Sequence, residues 1–487
     1  MANENKKPSS FTADPPAGKL HIVVAAVPLW GHLLPTLRVA QGFAEHGHSV
    51  TFVTSSCVGA ALSKMPETAG VSTLLLQDFP EREALDKLGV KRGDELFPIL
   101  EETTYPYALK ALTELNARQP VDHCVIDLVS FAFFKVADEC GLPFTVNLPG
   151  GEQLLKVFYS TPTSKAYGNV MRSLAKWTGL SLPSILAISS DIHGHIKGRP
   201  VLMHTTPSLM LEPAWVSPKK NKVLAMGSPT CAGWPATADR NASPEPALPQ
   251  LPDELEAFLA PDDANLPVVL FTLGSMSSIM DPNNLTELLG GLCNAKWKTM
   301  AALSAKAVSR VPAELLQHPN LLVSSWIPQA QVIADPRVNV VVTHCGWGAA
   351  LDVVTGGKPV VCVPHHGDQP VNADLLVSKG MGLKLNFKTV KATGVEKTVS
   401  ALLTDPKYSQ RAQELSKAVA AETCGRHGAV TFVEQLVAED RARRDSKHTT
   451  DIVPAHRPFT AALIGGAAVV AIGAAVLAAG LRTKGHA

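Results

Sequence analysis

The chain has 487 residues, of which 46% are hydrophobic and 18% charged, and its formal net charge is +1 at pH 7. This length suits two domains rather than one core, and the near-zero charge gives no support to a strongly basic nucleic-acid-binding protein. The eight cysteines include no pair at C-x-x-C spacing, so neither a zinc site nor a disulfide framework is indicated.

The first half of the chain begins with alternating strand and helix patterns. Residues 1–18 are polar and rich in Pro, without the apolar stretch of a signal peptide, so we expect a disordered N-terminus. The apolar run Leu20–Val27 predicts a buried parallel strand, and Pro28–His32 predicts a loop after it. Leu33–Gly47 has helical spacing, and Ser49–Thr54 predicts the next strand. This order predicts a doubly wound sheet, and residues 19–228 are assigned to an N-terminal Rossmann-like domain.

Two further strands are predicted at Asp122–Leu128 and Pro143–Leu148, with a helix at Val129–Cys140 between them. The stretches Asp78–Pro120 and Gly150–Pro200 mix aromatic residues, Gly and Pro and have no clear period. We interpret them as excursions from the sheet, where substrate specificity often resides. The sequence therefore does not identify residues in these stretches that would bind a substrate.

The second half of the chain repeats the strand and helix alternation. Residues 229–252 are rich in Pro, Ala and small polar residues, which is typical of an extended linker. Strands are predicted at Val268–Leu273 and Val338–Val342, and a helix at Trp347–Gly356. Residues 253–440 are assigned to a second Rossmann-like domain.

The C-terminal end has the pattern of a membrane anchor. Residues 441–458 form a basic tether, and residues 459–481 carry no charge and would span about 34 Å as a helix. An Ala-rich soluble helix is the alternative, but the segment has no polar face for water. The excess of basic residues before the segment predicts a single-pass membrane protein with its globular part in the cytosol.

The most informative stretch runs from Trp326 to Gln369. It contains Trp326-Ile327-Pro328-Gln329, a valine-rich strand followed by Thr343-His344-Cys345-Gly346-Trp347, and Pro364-His365-His366-Gly367-Asp368-Gln369. A strand, a Gly turn and a helix N-terminus present free N–H groups and a positive dipole end to an anion. The tryptophans offer stacking faces, and the Asp-Gln pair offers hydrogen bonds to sugar hydroxyls. The pattern indicates a nucleotide-sugar.

This stretch resembles the donor-binding signature of the UDP-dependent glycosyltransferases. The matching residues keep their order and spacing: Trp326, Pro328, Gln329, Thr343, His344, Cys345, Gly346, Trp347, Gly357, Pro359, Pro364, Asp368, Gln369, Asn372 and Ala373. The resemblance covers roughly Leu20–Leu436 and implies the α/β GT-B fold, in which two Rossmann-like doubly wound domains face a cleft. The expected architecture is therefore this two-domain fold followed by the predicted C-terminal transmembrane helix.

The resemblance implies a role for each donor-binding residue. Trp326 is expected to stack on uracil, with Gln329 near the base and the ribose and Asp352 accepting from ribose hydroxyls. His344 and the helix N-terminus from Gly346 are expected to hold the diphosphate. Trp347, Asp368 and Gln369 are expected to contact the sugar. Ser275 matches a phosphate-contacting Ser, although a simple turn Ser is an equal alternative.

Three positions depart from the family pattern. The family commonly has Asn-Ser after the Trp of the turn, where this chain has Gly348 and Ala349, and it usually has Glu where this chain has Asp352. The missing Ser hydroxyl removes one phosphate hydrogen bond, worth about 1–3 kcal/mol if it is buried and uncompensated. We expect weaker or rearranged donor binding rather than its loss.

His32 is the expected catalytic base. It lies in Gly31-His32-Leu33-Leu34-Pro35, which resembles the family's Gly-His-x-x-Pro segment, and a neutral imidazole can accept a hydroxyl proton near pH 7. Such a base needs a partner that stabilises the imidazolium. Asp127 ends an apolar strand and matches the family's Asp, whereas its rival Asp122 precedes the strand and suits a turn.

The sequence predicts neither a metal nor a cofactor. His365-His366 has no third ligand at a recognisable spacing, and the chain has no Asp-x-Asp motif to hold a metal-bound diphosphate. The helix dipole and His344 are expected to supply positive charge instead. The UDP-sugar is then a co-substrate.

These features predict an inverting UDP-glycosyltransferase that transfers a hexose to a small lipophilic alcohol, phenol or sterol. Gln369 points to UDP-glucose as the donor. A non-catalytic nucleotide-sugar-binding protein of the same fold, anchored at a membrane, is the alternative suggested by Gly348 and Ala349. A sugar-nucleotide epimerase of related architecture fits the donor signature poorly.

Overall fold

The computed structural model describes residues 18–77, 96–151, 198–210, 222–230, 251–261, 265–274, 281–365 and 367–450. Ser275, His366, most of the predicted linker and the predicted transmembrane segment 459–481 lie outside these residues. Within them, residues up to Val437 form one compact unit, which contains two parallel sheets, and residues from Ala438 form a second unit.

The first sheet has seven strands in the described residues, in the order β3-β2-β1-β4-β5-β6-β7. The strands are β1 His21–Ala25, β2 Ser49–Ser55, β3 Ser72–Leu76, β4 His123–Asp127, β5 Phe144–Leu148, β6 Val201–Met203 and β7 Val223–Ala225. Each neighbouring pair is parallel. The order reverses between β1 and β4, so the carboxyl ends of these strands border a crevice, where ligands bind in such sheets.

Four α-helices lie between the strands of this sheet along the described part of the chain. They are α1 Trp30–Glu45, α2 Gly59–Leu62, α3 Leu96–Arg118 and α4 Phe131–Glu139, with 3₁₀ turns at Ser56–Val58, Pro66–Thr68 and Pro207–Leu209. Successive side chains of β1 pack on opposite faces of the sheet. Val23 packs in the same core as Phe134 of α4, and Ile22 packs in the same core as Leu37 of α1. The sheet is therefore covered on both sides, which explains its near-continuous apolar strands.

The second sheet has six strands in the described residues, in the order β10-β9-β8-β11-β12-β13. The strands are β8 Val268–Thr272, β9 Lys298–Ala302, β10 Leu321–Ser324, β11 Val338–Thr343, β12 Val360–Cys362 and β13 Gly382–Lys384. All neighbouring pairs are parallel. The order reverses between β8 and β11, which places the end of β11 at the second crevice.

The helices of the second half surround this sheet. They are α5 Asp253–Leu259, α6 Pro282–Leu292, α7 Ala305–Val308, α8 Ala313–Leu316, α9 Gln329–Ala334, α10 Trp347–Thr355, α11 Gln369–Ser378, α12 Ala392–Thr404 and α13 Pro406–Glu422, with a 3₁₀ turn at Phe387–Thr389. Val341 of β11 packs in one core with α10, and Val342 packs in the opposite core with α6 and α12.

The last described helix is α14, Gly425–Thr450. Ala429, Val430 and Val433 are fully buried and pack in the same core as Phe43 of α1. The chain therefore returns from the second sheet to the first half after α13. No helix among the described residues is long and apolar enough to cross a membrane.

Two sequence-based expectations about local structure were wrong. His32 was expected in a loop, but α1 begins at Trp30 and includes it, because the N–H groups of His32 and Leu33 both donate to the carbonyl of Leu29. The stretch Asp78–Pro120 was expected to be irregular, yet it contains the 23-residue helix α3. Pro106 lies inside α3, and an interior Pro normally argues against a helix.

Candidate active site

His32 and Asp127 meet at the crevice of the first sheet. His32 lies in the first turn of α1, after β1, and Asp127 is the last residue of β4, which pairs with β1. Nδ1 of His32 lies 2.9 Å from Oδ1 of Asp127. The carboxylate is fully buried, whereas 20% of the His32 side chain is exposed. The other carboxylate oxygen accepts a bond of 3.3 Å from the N–H of Val129.

The hydrogen bond determines which nitrogen of His32 is available. An ionised carboxylate can only accept, so Nδ1 is the donor and Nε2 of the neutral ring carries the free lone pair. Burial opposes protonation of His32, but the charge and the hydrogen bond of Asp127, together with the charge of Asp368, outweigh it and raise the pKa of His32. The arrangement is that of a general base with its orienting acid.

A buried polar network lies behind this pair. The hydroxyl of Thr36 donates to the carbonyl of His32 at 2.6 Å and accepts from Nδ2 of Asn147 at 2.9 Å. Oδ1 of Asn147 lies 2.8 Å from Nε2 of His204. All three side chains are at most 1% exposed. None of the three was predicted from the sequence, although Asn147 is a polar residue inside an apolar strand, much as Asp127 is a polar residue at the end of one.

Asp122, the alternative to Asp127 as the partner of His32, has a structural role. Its Oδ2 accepts from the N–H of His21, the first residue of β1, at 2.8 Å. Asp122 therefore lies at the amino end of the sheet, opposite the crevice. This position agrees with its interpretation as a turn residue.

The turn after β11 points His344 toward the start of α10. Cys345 has a positive φ of 62°, and Gly346 precedes the first helical residue, Trp347. A Cβ atom on Gly346 would lie 2.6 Å from Nε2 of His344, so only Gly leaves room for this ring. The imidazole and the helix N-terminus thus lie together, as an anion site requires.

Gln329 and Asp352 also lie together. Nε2 of Gln329 donates to Oδ2 of Asp352 at 2.9 Å, and Oε1 of Gln329 accepts from the hydroxyl of Thr272 at 2.8 Å. Burial raises the pKa of Asp352, against the opposing effects of Gln329 and the positive charge of Arg38. The pair joins the start of α9 to α10. Trp326, three residues before Gln329 in the chain, is 67% exposed.

Asp368 and Gln369 begin helix α11. Oδ2 of Asp368 accepts from Nδ2 of Asn372 at 2.7 Å, and the same amide donates to the carbonyl of Cys345 at 3.0 Å. Oε1 of Gln369 accepts from the N–H of His365 at 2.9 Å. Burial raises the pKa of Asp368, and the charge of His32 opposes this rise. Residues of the two sheets therefore interact electrostatically at one site.

Trp347 connects the two halves directly. Its indole N–H donates to the carbonyl of His204 at 2.6 Å, and the residue is 7% exposed. The ring is therefore largely enclosed by protein, and its expected contact with a sugar stays a prediction.

Two of the three departures from the family pattern, Gly348 and Ala349, occupy different environments. Gly348 is exposed, and a Cβ atom there would have no neighbour within 4 Å. Ala349 is buried, with 6% exposure. Gly348 therefore leaves open space at the first turn of α10, where a longer side chain would fit.

A narrow cavity lies beside the segment that follows Asp127. It is bordered by the segment from Ala26 to Pro28, by Thr54, and by the segment from Val129 to Phe133. The hydroxyls of Thr54 and Ser130 are buried there without a hydrogen-bond partner. The space of about 20 Å³ holds one water rather than a phenol or a sterol.

Among the described residues, no three His, Cys, Asp or Glu side chains are grouped to hold a metal ion. The ring of His365 stacks on Phe387, with ring centres 3.6 Å apart. His366, its partner in the sequence motif, and Ser275 lie outside the described residues.

Comparisons with known proteins agree with this geometry. Residues 218–424 match the model of the UDP-glucoronosyl and UDP-glucosyl transferase family. UDP-glucuronosyltransferase 2A3 of Mus musculus is 31% identical over 173 residues, which are 36% of this chain and 31% of that protein. UDP-glucuronosyltransferase 2C1 of Oryctolagus cuniculus is 30% identical over 183 residues, which are 36% of this chain and 33% of that protein. The chain therefore matches about a third of the length of these relatives.

Solved structures match over a longer part of the chain. Os79 from O. sativa in complex with UDP has a TM-score of 0.66 at 20% identity, over 86% of this chain and 99% of that one. A UDP-glucose: anthocyanidin 3-O-glucosyltransferase in complex with UDP has a TM-score of 0.66 at 17% identity, over 87% of this chain and 99% of that one. The expected resemblance to the UDP-glycosyltransferases and the GT-B fold are thus confirmed.

Proposed function

Since residues 218–424 match the UDP-glycosyltransferase family, we propose that the chain is an inverting UDP-glycosyltransferase with His32 as its general base. The observation that carries this proposal is the 2.9 Å hydrogen bond between His32 and the buried Asp127, which leaves Nε2 as the free acceptor. This base lies close enough to Asp368 of the donor segment for their charges to interact. A binding protein without catalysis has no need of such a pair.

The proposed reaction is a single displacement. Nε2 of His32 takes the proton of the acceptor hydroxyl while its oxygen forms a bond to the anomeric carbon. The bond between that carbon and the diphosphate oxygen breaks, and UDP leaves with the electron pair. Asp127 stabilises the imidazolium, and the N-terminus of α10 with His344 stabilises the charge on the leaving diphosphate. Attack opposite the leaving group inverts the anomeric configuration.

The donor would lie along the carboxyl end of the second sheet. Trp326 has an exposed face for the uracil, and the bonded pair of Gln329 and Asp352 offers oxygen acceptors for the ribose. The backbone N–H groups at the start of α10 face the diphosphate position. Asp368 and Gln369 are the nearest candidates for the sugar hydroxyls.

Two candidates for the sugar of the donor have different support. Gln369 favours glucose, because its amide can hydrogen-bond neutral hydroxyls. The relatives reported above are named glucuronosyltransferases, which makes glucuronate the competing sugar. UDP-glucose is our first candidate, and a direct comparison with UDP-glucuronate decides between them.

We also propose that the acceptor is a small lipophilic alcohol, phenol or sterol. Two of the similar solved structures contain a small organic molecule: a trichothecene with Os79, and pterostilbene with UGT2 of Phytolacca americana. An uncharged C-terminal segment at residues 459–481 would anchor the protein where lipophilic compounds partition. The cytosolic location of the globular part follows from the basic residues before that segment.

Acceptor-dependent release of UDP tests the proposal. The full chain in detergent would be given each UDP-sugar with a panel of phenols, alcohols and sterols, and products would be identified by mass spectrometry. We expect a glycoside product that is absent with His32→Ala. UDP binding without turnover on any acceptor would overturn the catalytic proposal and favour the binding protein.

A further inference from the structure

A chain of buried hydrogen bonds runs from the catalytic histidine to the start of α10. It passes from the carbonyl of His32 through the hydroxyl of Thr36 and the amide of Asn147 to the ring of His204. The carbonyl of His204 then accepts the indole N–H of Trp347 at 2.6 Å. Four elements, α1, β5, the segment after β6 and α10, are thereby connected.

The donors and acceptors of this chain are fixed. Nδ2 of Asn147 donates to Thr36, so Oδ1 is the acceptor that faces Nε2 of His204, and Nε2 must carry the proton. Nδ1 of His204 is then unprotonated, and it is buried without a partner. Burial, together with the nearby charge of His32, lowers the pKa of His204 to about 3. His204 is therefore neutral over the working range of a base such as His32.

Because His204 is neutral, replacing it alters the geometry around His32 without altering the local charge. Removing a neutral ring changes no formal charge near His32, where Asp127 and Asp368 are the other charged groups that affect it. Replacement of His204 then changes the pKa of His32 either through its burial or through its position, and weaker burial raises the pKa, so a fall in the pKa reports a changed position. The pKa of His32 is raised only because Asp127 and Asp368 outweigh burial, so a loosened bond to Asp127 lowers it.

We propose that His204 is a positioning residue: its protonated Nε2 holds Asn147 and Thr36 against the first turn of α1, and this contact keeps His32 on Asp127. The main-chain bond to Trp347 ties the same residue to the helix that would receive the diphosphate. The inference rests on the proposed function for its effect on turnover, whereas the effect on the His32 imidazole is independent of any substrate.

Two substitutions of His204 separate the proposed role from simple packing. The amide nitrogen of His204→Gln can occupy the place of Nε2 and donate to Asn147, whereas the shorter amide of His204→Asn cannot reach it. Both substitutions retain the backbone carbonyl of residue 204, which accepts the hydrogen bond from the indole of Trp347. His123→Asn is the matched control, because His123 is also buried and its Nε2 lies 2.8 Å from a side-chain hydroxyl, that of Thr145. It lies at the amino end of β4, away from the site.

NMR titration of the His32 imidazole in the full chain is the primary measurement, with His32→Ala to assign its signal. We expect His204→Asn to lower the pKa of His32 by about 0.5 or more, and His204→Gln and His123→Asn to leave it unchanged. Thr36→Val should act as His204→Asn does, and the double variant should shift the pKa no further. An unchanged pKa of His32 in a folded His204→Asn overturns the proposal. Equal shifts in His204→Asn, His204→Gln and His123→Asn also overturn it.

Turnover supplies the second measurement. In His204→Asn we expect kcat to fall about 10–100-fold with the KM for the UDP-sugar within about threefold, because positioning of the base rather than donor binding is lost. A wild-type chain without turnover would overturn the proposed function, yet the NMR titration would still decide the role of His204. A loss confined to KM contradicts the positioning role.

Discussion

Nδ1 of His32 and Oδ1 of Asp127 are 2.9 Å apart, and they join the first turn of α1 to the carboxyl end of β4 across the neighbouring strands β1 and β4. The carboxylate has no solvent exposure, while a fifth of the imidazole is exposed. A buried anion is costly unless it is paired, so the ring, a backbone N–H and the surrounding fold keep this carboxylate in place. The other ring nitrogen, Nε2, is then the one proposed to act as the base.

Asp127→Asn should lower kcat about 10²–10⁴-fold. The amide cannot stabilise the imidazolium, and burial then dominates and lowers the pKa of His32. A base works only when it is deprotonated, so activity is lost as pH falls through this pKa. The acid limb of the pH profile of kcat/KM should therefore move to lower pH as the plateau falls. A plateau that is unchanged would contradict the role of Asp127.

Asp368→Asn should move the same acid limb in the same direction by a smaller amount. The negative charge of Asp368 helps to raise the pKa of His32, while the bond to Asp127 remains in this variant. Asp374→Asn is the control, because Asp374 lies on the same helix, is exposed and pairs with Lys384. Equal pH profiles for wild type and Asp368→Asn would mean that the two halves do not interact at this site.

Asp352→Ala should weaken binding of UDP about 10–100-fold by calorimetry, because a hydrogen bond to a charged group is worth about 1.5–3 kcal/mol. The loss should appear with UDP and not with inorganic diphosphate, since the carboxylate is assigned to the ribose. Asp335→Ala removes a carboxylate that pairs with Arg337 instead, and UDP affinity should stay the same. A similar loss for UDP and diphosphate would place Asp352 elsewhere.

Ala349→Ser should tighten binding of UDP by up to about tenfold, because it restores a hydroxyl at the first turn of α10 and the phosphate bond that goes with it. Gly348→Asn tests the neighbouring position, where a side chain has open space. A serine hydroxyl that leaves the affinity for UDP unchanged would show that this turn does not contact the diphosphate.

Gly291→Ala should lower the free energy of unfolding by about 1–3 kcal/mol through overpacking. Its Cβ atom would lie 2.3 Å from the carbonyl oxygen of Ala392 and 2.6 Å from Cβ of Val395, at the contact of α6 with α12. At Gly290 the nearest atom is 3.5 Å away, so Gly290→Ala should be neutral or stabilising by helix propensity. Urea unfolding compares the two, and equal stabilities would contradict the packing of α6 against α12.

The sequence was sufficient to select His32, Asp127 and the donor segment as candidates because each lies in a local pattern. Asp127 ends an apolar strand, and His344 follows one, so strand periodicity alone places both at a carboxyl end. Asp127 comes close to His32 because β1 and β4 are neighbours in the strand order of the sheet. Parallel pairing and right-handed crossovers leave few alternatives for that order.

The missed residues depend on contacts between distant segments. Asn147 and His204 are bonded over a separation of 57 residues, and Trp347 and His204 over 143. The hydrophobic periodicity within one strand or helix cannot predict a hydrogen bond between residues so far apart in the sequence. The helix α3 was missed for a different reason, because Pro106 and the neighbouring Thr103 and Thr104 contradict helix propensity and packing overrides it.

The anomeric configuration of the product tests the central claim most directly. The glycoside formed from an α-linked UDP-sugar by the full chain would be analysed by proton NMR, before any hydrolysis. A single displacement with His32 as base predicts a β-glycoside, formed by wild type and not by His32→Ala. An α-glycoside, or a β-glycoside formed equally fast by His32→Ala, would contradict the account.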